Sequence, residues 1–308
     1  MRILVLGCRG QVGFELTRAL APLGDVTALG RETSTSDMCG DLERPDELLR
    51  TVRRVAPNVI ANAAAYTDVD GAEAEPERAE RINAAAPALL AAEAASSGAW
   101  LVHYSTDYVF DGSGTSPWRE DDEPAPLNSY GATKWHGERA VRNARCRHLI
   151  FRTQWVYSAR RRNFLAKILQ AAATRDRLQV VNDQTGAPTS AELVADMTAH
   201  ALRVAIARPE LSGTYHLAAR GETTWHGYAR FALDAARRAG LPVRPTDAAI
   251  EPVATSAFPT AARRPLNSRL DVARLEQTFD VQLPEWPVGV ARAVAEIART
   301  TRTGAVER

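Results

Sequence analysis

The chain has 308 residues, which is enough for two domains of about 150 residues each. Its 38 basic and 37 acidic residues give a net charge of +1, which excludes nucleic acid and anionic membrane surfaces as main partners. Three cysteines without metal-ligand spacing indicate neither a disulfide framework nor a zinc site, and no run of about 18 apolar residues predicts a membrane span. We therefore expect a cytoplasmic protein. The basic residues are 36 arginines and only two lysines, Lys134 and Lys167, so each lysine needs a chemical explanation.

Apolar, β-prone runs alternate with longer helical patterns through the first half of the chain. The predicted strands are Arg2–Leu6, Val26–Leu29, Asn58–Asn62, Trp100–Ser105 and His148–Thr153. The helices predicted between them lie at about 11–22, 45–55, 75–97 and 129–143. This alternation is typical of βαβ units with right-handed crossovers, so the predicted fold class is α/β with a Rossmann-type doubly wound parallel sheet.

After Thr153 the regular alternation of strands and helices loosens, and glycine and proline punctuate the chain, which predicts a second, smaller α/β unit. We place the doubly wound domain at residues 1–157 and the smaller domain at 158–308, with a helix at about 190–208 that packs back on the first domain. The helices predicted in this part lie at about 191–207, 225–239, 272–279 and 288–298.

Three glycines follow the first predicted strand and open the first predicted helix. Gly7, Gly10 and Gly13 form the pattern G-x-x-G-x-x-G. Glycine allows a tight turn and a close approach of the backbone to a diphosphate, and the N-terminus of the following helix attracts the anion. The pattern therefore predicts a dinucleotide site that includes Gln11 and Val12, although the same glycines could serve only the strand-to-helix turn.

The end of the second predicted strand bears on which dinucleotide binds. Arg31 can pair with the 2′-phosphate of NADPH, at a place where NAD-binding proteins commonly carry a carboxylate, so we predict NADPH as the cofactor. Glu32 follows directly and keeps NADH open. Asp41 and Leu42 are candidates for holding the adenine, and Asp41 is equally suited to a helix N-cap region ahead of Pro45.

A tyrosine and a lysine stand four residues apart at Tyr130 and Lys134, so their side chains share one face of a predicted helix. The strand that starts at Trp100 runs into Thr106, which places a hydroxyl at the carboxyl end of a strand, where open α/β sheets bind ligands. The three residues in this order are a much more specific signal than the tyrosine–lysine pair alone.

With these motifs the chain resembles the extended short-chain dehydrogenase/reductase family and, within it, the dTDP-4-dehydrorhamnose reductases. The segments that carry the resemblance are Gly7–Gly13, Asn62–Asp70, Ser105–Phe110, Pro126–Tyr130, Phe151–Tyr157, Asn182–Thr189 and Arg264–Ser268. The resemblance implies an NAD(P)-binding domain beside a smaller sugar-nucleotide-binding domain. It also implies NADPH-dependent reduction of the 4-keto group of dTDP-4-dehydro-L-rhamnose to dTDP-L-rhamnose, the last step of dTDP-rhamnose biosynthesis.

The roles that the resemblance implies agree with the chemistry of the residues. Tyr130 would donate a proton to the keto oxygen, and Lys134 would stabilise the phenolate and bind the nicotinamide ribose. Thr106 would orient the ketone. An arginine is a poor replacement for Lys134, because it is bulky and planar where one compact ammonium serves two partners. The other cofactor contacts implied are Ala64, Ala65, Tyr66, Thr67 and Tyr104.

On the substrate side the resemblance implies contacts from Asp107 and Trp155 in addition to Thr106. Arg264 is a candidate for clamping the diphosphate. Trp155 could also be a core aromatic and Arg264 a surface arginine. The run Arg160–Arg162 suggests phosphate binding but stays unassigned, because charge runs are commonly solvated faces.

Some members of the resembled family are dimers that hold a magnesium ion between carboxylates, and the matching positions are Glu15, Glu192 and Glu296. A homodimer with Mg²⁺ is therefore open for this chain.

Two other functions also stay open. One is another sugar-nucleotide reductase, epimerase or dehydratase of the same fold; a dehydratase would need an added acidic group beside the catalytic threonine, which Asp107 could supply. The other is a non-catalytic, NADP-binding regulatory subunit. Such a subunit has no need of Thr106, Tyr130 and Lys134 together, and all three are present.

Overall fold

The computed structural model describes residues 1–33 and 38–306. Its strands are β1 (Arg2–Leu6), β2 (Asp25–Leu29), β3 (Val59–Asn62), β4 (Trp100–Thr106), β5 (Arg147–Thr153), β6 (Val156–Tyr157), β7 (Leu178–Val181), β8 (Thr185–Gly186), β9 (Thr189–Ser190), β10 (Gly213–His216), β11 (Thr223–Thr224) and β12 (Ile250–Val253). Its α-helices are α1 (Gln11–Leu20), α2 (Pro45–Val55), α3 (Gly71–Ala74), α4 (Pro76–Glu80), α5 (Ala86–Ser97), α6 (Ser129–Asn143), α7 (Phe164–Thr174), α8 (Ala191–Ala207), α9 (Trp225–Arg238), α10 (Ala273–Phe279) and α11 (Trp286–Val306). None of the helices in these described ranges has the length and apolar character that crossing a membrane requires.

A parallel six-stranded sheet forms the centre of the larger unit, in the order β10-β5-β4-β3-β1-β2. Every residue of β3 and β4 is buried, because helices cover both faces of the sheet. The chain passes from β1 to β2 on one side and then to β3 on the other side of β1, so the connections diverge there and open a crevice beyond the carboxyl ends of the strands. The predicted doubly wound parallel sheet is confirmed.

Two of the differences from the sequence prediction concern the larger unit. Strand β10 joins β5 at the edge of the sheet, and its four residues are too few for a hydrophobic period to reveal them. The helix predicted at 75–97 is divided into α4, a π-helical segment at Arg81–Ala85, and α5. Pro87, in the first turn of α5, has no N–H to donate to the preceding turn, so the α-helical ladder cannot run unbroken through it.

Helix α8 packs on α1 in the larger unit. Leu16 and Leu20 of α1 and Val194 and Leu202 of α8 are fully buried in one hydrophobic cluster that also includes side chains of the sheet. Residues from the second half of the sequence thus complete the larger unit through α8 and β10. The domain boundary at residue 157 stays a prediction.

The smaller unit packs α7, α9 and α11 around a core that is rich in aromatic side chains. Tyr228 of α9 is fully buried, and its ring lies 5.1 to 6.2 Å from the rings of Tyr157, Phe164 and Trp286, measured between centroids. Burying this much apolar surface stabilises the unit and fixes its aromatic rings at the crevice of the sheet.

Candidate active site

A cavity of about 900 Å³ lies beyond the carboxyl ends of the strands and reaches the smaller unit. Residues that follow β1, β3 and β4 line one side, and Phe164, Trp225 and Tyr228 line the other. Ligands of doubly wound folds bind at this edge of the sheet, so the cavity is the candidate active site.

The glycine loop forms one end of the cavity, and its backbone leaves no room for side chains. Gly7 has a φ of +84°, and a Cβ atom on it would lie 2.7 Å from the backbone nitrogen of Ala64. A Cβ atom on Gly13 would lie 2.0 Å from the carbonyl oxygen of Gly7. Helix α1 begins at Gln11, and no side chain of the described residues caps it, so its first N–H groups can bind an anion. The loop therefore fits the diphosphate of a dinucleotide.

Most of the predicted cofactor residues line this cavity. They are Gly7, Gly10, Gln11, Val12, Arg31, Asp41, Leu42, Ala64, Ala65, Thr67, Tyr104, Tyr130 and Lys134. Gly13 lies behind the loop, against the backbone of Gly7. The hydroxyl of Tyr104 lies 2.9 Å from that of Thr198 on α8, so the phenol is engaged within the protein.

Tyr66 and Arg264 lie outside the lining of the cavity. The hydroxyl of Tyr66 donates to Glu75 at 2.7 Å. The guanidinium of Arg264 donates to Asp70 at 2.6 Å. Their predicted roles in cofactor and substrate binding therefore stay predictions.

Charged side chains meet where β2 ends. Arg9, Arg31 and Glu32 all line the cavity, and Arg9 donates to Glu32 at 2.6 Å. The carboxylate that would favour NADH is therefore bound to a guanidinium, and Arg31 adds positive charge next to it. Asp41 accepts a hydrogen bond from the N–H of Glu43 at 3.1 Å and does not cap α2.

Thr106, Tyr130 and Lys134 meet at the carboxyl end of β4, and all three line the cavity. Tyr130 and Lys134 lie on the first turns of α6, which Asn128 caps by accepting a hydrogen bond from the N–H of Gly131 at 2.8 Å. The Thr106 hydroxyl lowers the pKa of the Tyr130 phenol, so the two side chains are neighbours. The structure thus brings the predicted catalytic residues together.

Burial shifts the pKa of both titratable groups in this trio. Burial raises the pKa of Tyr130 to about 12, while the neighbouring hydroxyl of Thr106 acts in the opposite direction. Burial lowers the pKa of Lys134 to about 8, opposed by the charge of Glu138 one turn further along α6. The ammonium of Lys134 also donates to the carbonyl oxygen of Tyr104 at 2.6 Å. At pH 7 the phenol therefore holds its proton and most of the lysine is charged, which suits proton donation from the phenol.

Asp107 and Trp155 also line the cavity. Asp107 is buried, its Oδ1 accepts a hydrogen bond from Thr106 at 3.1 Å, and burial raises its pKa to about 7. Trp155 has a left-handed backbone with a φ of +46°, and its ring stacks on that of Trp225 with 3.8 Å between centroids. Such a backbone costs on the order of 1–3 kcal/mol outside glycine.

Residues 1–299 match the family model of the RmlD substrate binding domain. The dTDP-4-dehydrorhamnose reductases of Salmonella typhimurium and Escherichia coli K12 are each 50% identical to the chain over 301 residues, which cover 98% of this chain and 99% of the relative. The chain belongs to the dTDP-4-dehydrorhamnose reductase family. The crystal structure of the Bacillus anthracis dTDP-4-dehydrorhamnose reductase in complex with NADP superposes with a TM-score of 0.85 at 31% identity, covering 96% of this chain and 99% of that one. The family resemblance of the motifs is confirmed.

The magnesium ligands predicted from the resemblance to dTDP-4-dehydrorhamnose reductases are each bonded to an arginine. The pairs are Glu15 with Arg18 at 3.2 Å, Glu192 with Arg292 at 2.7 Å and Glu296 with Arg160 at 3.3 Å. Within residues 1–33 and 38–306, no group of three or more His, Cys, Asp or Glu side chains is arranged to hold a metal ion. A magnesium site would need carboxylates from a second copy of the chain, so it stays a prediction for a homodimer.

Sequence reasoning missed part of the cavity wall. Trp225 and Tyr228 stand three residues apart on α9, a spacing typical of any helix that faces a core, so nothing in it indicates a ligand. Asn83, in the π-helical segment, is buried and bonds to the backbone of Tyr66 at 2.9 and 3.0 Å and to Thr133 of α6 at 3.1 Å. It ties the loop after β3 to the catalytic helix, and nothing in the pattern of residues 75–97 sets it apart from the other polar residues there.

Proposed function

We propose that this protein reduces the 4-keto group of dTDP-4-dehydro-L-rhamnose with NADPH and forms dTDP-L-rhamnose. The observation that carries the proposal is that Thr106, Tyr130 and Lys134 line the same cavity as a loop that fits a dinucleotide diphosphate. Relatives named dTDP-4-dehydrorhamnose reductase at 50% identity support the same substrate.

The reaction needs a hydride and a proton. Bound NADPH supplies the hydride from carbon 4 of its nicotinamide, and negative charge then develops on the keto oxygen of the sugar. Thr106 turns its hydroxyl from Asp107 to the keto oxygen and orients the ketone by that hydrogen bond, and Tyr130 donates its phenolic proton to the oxygen. Lys134 stabilises the phenolate that remains, because a charge pair interacts more strongly in a buried site than in water. A proton from water restores the phenol.

Lys134 is positioned for this task by the backbone of β4. One N–H of its ammonium is bound by the carbonyl oxygen of Tyr104 at 2.6 Å, which leaves two for the phenol and for a ribose hydroxyl. The residue is 3% exposed, so water competes little for those two donors. A planar guanidinium cannot divide its donors in this way, which explains why a chain with 36 arginines places a lysine here.

The preference for NADPH over NADH rests on Arg31, with Arg9 bound to Glu32 beside it. In steady-state assays with both cofactors, Arg31→Ala should lower kcat/KM for NADPH by about tenfold and leave kcat/KM for NADH nearly unchanged, because a charge-assisted bond to the 2′-phosphate is lost. A clear preference of the wild-type protein for NADH would contradict this part of the proposal.

Oxidation of NADPH in the presence of enzymatically made dTDP-4-dehydro-L-rhamnose tests the proposed function. We expect oxidation that requires both the sugar nucleotide and Tyr130. Oxidation with a different keto sugar nucleotide only would indicate another reductase of the same fold. Conversion of dTDP-glucose to a keto sugar would indicate a dehydratase that uses Asp107, and NADPH binding without turnover of any of these would indicate a regulatory subunit.

A homodimer that holds magnesium through Glu15, Glu192 and Glu296 is a separate part of the proposal. Sedimentation velocity with and without EDTA tests it. We expect a dimer that the chelator weakens; a monomer that is indifferent to EDTA would contradict it.

A further inference from the structure

Three consecutive arginines follow β6, and the proposed function uses none of them. Arg160 pairs with Glu296 at 3.3 Å, and its guanidinium lies 5.0 Å from the centroid of the Phe14 ring. Arg161 and Arg162 differ from it, because both line the active-site cavity. Neither of these two guanidinium groups has a hydrogen-bond or ion-pair partner within the described part of the chain. Two unpaired positive charges at one wall of a cavity indicate an anionic ligand.

The segment that carries these arginines, residues 158–163, is anchored to the glycine loop. Oε1 of Gln11 accepts hydrogen bonds from the hydroxyl of Ser158 at 3.1 Å and from Nδ2 of Asn163 at 2.9 Å. Nε2 of Gln11 donates to the carbonyl oxygen of Val156 at 3.3 Å. Both ends of the segment are thus bound to the residue that begins α1. This anchoring keeps the two arginines in the same cavity as the helix N-terminus, where a dinucleotide diphosphate fits.

We propose that Arg161 and Arg162 bind the diphosphate of the dinucleotide together with the N-terminus of α1. The inference rests on the proposed function for the identity of the cofactor. A dinucleotide diphosphate carries two negative charges, and a helix N-terminus supplies only about half a positive charge. Two guanidinium groups neutralise the negative charge that remains. The sugar-nucleotide substrate carries the same diphosphate group and enters the same cavity. The anchoring to Gln11 favours the dinucleotide as its source.

The double variant Arg161→Gln/Arg162→Gln tests the inference, because it removes both charges and keeps polar side chains. Calorimetric titrations with NADPH, NADH and dTDP measure binding without turnover. We expect the affinity for NADPH and for NADH to fall by the same factor of about ten, and the affinity for dTDP to stay unchanged. The loss should shrink as salt is added, because both guanidinium groups are exposed and screened.

The matched control is Arg145→Gln/Arg175→Gln, which removes the same net charge at exposed positions outside the cavity. This control should bind all three ligands like the wild-type protein. Melting temperatures of both double variants should equal that of the wild-type protein, since all four side chains are exposed.

The outcomes separate the sources of the diphosphate. Equal losses for NADPH and NADH support the dinucleotide, and a loss for dTDP alone would assign the two arginines to the sugar nucleotide and overturn the inference. A loss for NADPH alone would mean contact with the 2′-phosphate and would overturn the inference. Unchanged affinity for all three ligands, or an equal loss in the control variant, would overturn it as well. A wild-type protein that binds neither dinucleotide would contradict the proposed function instead.

Discussion

The burial of Lys134 predicts how the stability of the protein depends on pH. Burial lowers the pKa of Lys134 from 10.5 to about 8 in the folded chain. A lysine with a lower pKa in the folded than in the unfolded chain binds its proton more weakly when folded, so its charge opposes folding at neutral pH. This penalty disappears as the pH rises through 8 towards 10.5. At about 1.4 kcal/mol for each pKa unit, it amounts to about 3 kcal/mol at pH 7 and about 1 kcal/mol at pH 10.

The variant Lys134→Met removes the titrating group and keeps an unbranched side chain. Urea unfolding of the cofactor-free wild-type and variant proteins at pH 7 and at pH 10 gives the difference in their free energies of unfolding. We expect this difference to move by about 2 kcal/mol in favour of the wild-type protein between the two pH values. Loss of the hydrogen bond from Lys134 to the carbonyl oxygen of Tyr104 adds a constant amount to the difference in unfolding free energy. The change of that difference between the two pH values is the quantity that reports the pKa of Lys134.

Lys167→Met is the control, because Lys167 is exposed on α7 and meets water in the folded and the unfolded chain alike. Its difference from the wild-type protein should be the same at both pH values. If the difference in unfolding free energy between Lys134→Met and the wild-type protein were also the same at both pH values, the reasoning would be refuted. Burial would then not lower the pKa of Lys134.

Three further predictions concern the proton donor, a buried ion pair and the glycine loop. Tyr130→Phe should bind NADPH normally and lose about 10²- to 10⁴-fold in kcat, since no phenol remains to protonate the keto oxygen; a near-normal rate in the NADPH oxidation assay would contradict this. Arg152→Met should lower the free energy of unfolding by about 3–5 kcal/mol in urea titrations, because it leaves the buried carboxylate of Glu138 without its partner at 2.7 Å. Gly13→Ala should abolish dinucleotide binding in fluorescence titrations, because its Cβ would lie 2.0 Å from the carbonyl oxygen of Gly7.

Two of these predictions have matched controls in the chain. Arg152→Met/Glu138→Leu should recover part of the lost stability, because apolar side chains then replace both charges; no recovery would mean that the ion pair is not the cause. Gly213→Ala should bind the dinucleotide normally, because the atom nearest to its Cβ would be Cε2 of Tyr215 at 3.7 Å. Equal effects of the two glycine variants would contradict the steric explanation.

The features that sequence reasoning predicted depend on local chemistry. Strand β1 contains a continuous apolar run from Ile3 to Leu6, and Gly7 adopts a positive φ that glycine favours. Lys134 stands out because the chain has only one other lysine. The features that sequence reasoning missed depend on contacts between residues that are distant in the sequence. The stacking of Trp155 on Trp225 and the pairing of β10 with β5 leave no periodic signal in either segment alone.

The transfer of deuterium from cofactor to sugar tests the central claim most directly. The protein is incubated with dTDP-4-dehydro-L-rhamnose and NADPH that carries deuterium at both positions of nicotinamide carbon 4, and the sugar product is analysed by mass spectrometry and NMR. The predicted product is dTDP-L-rhamnose with one deuterium on carbon 4 of the sugar. An unlabelled product, or deuterium on any other carbon, would contradict the reduction of the 4-keto group by this protein.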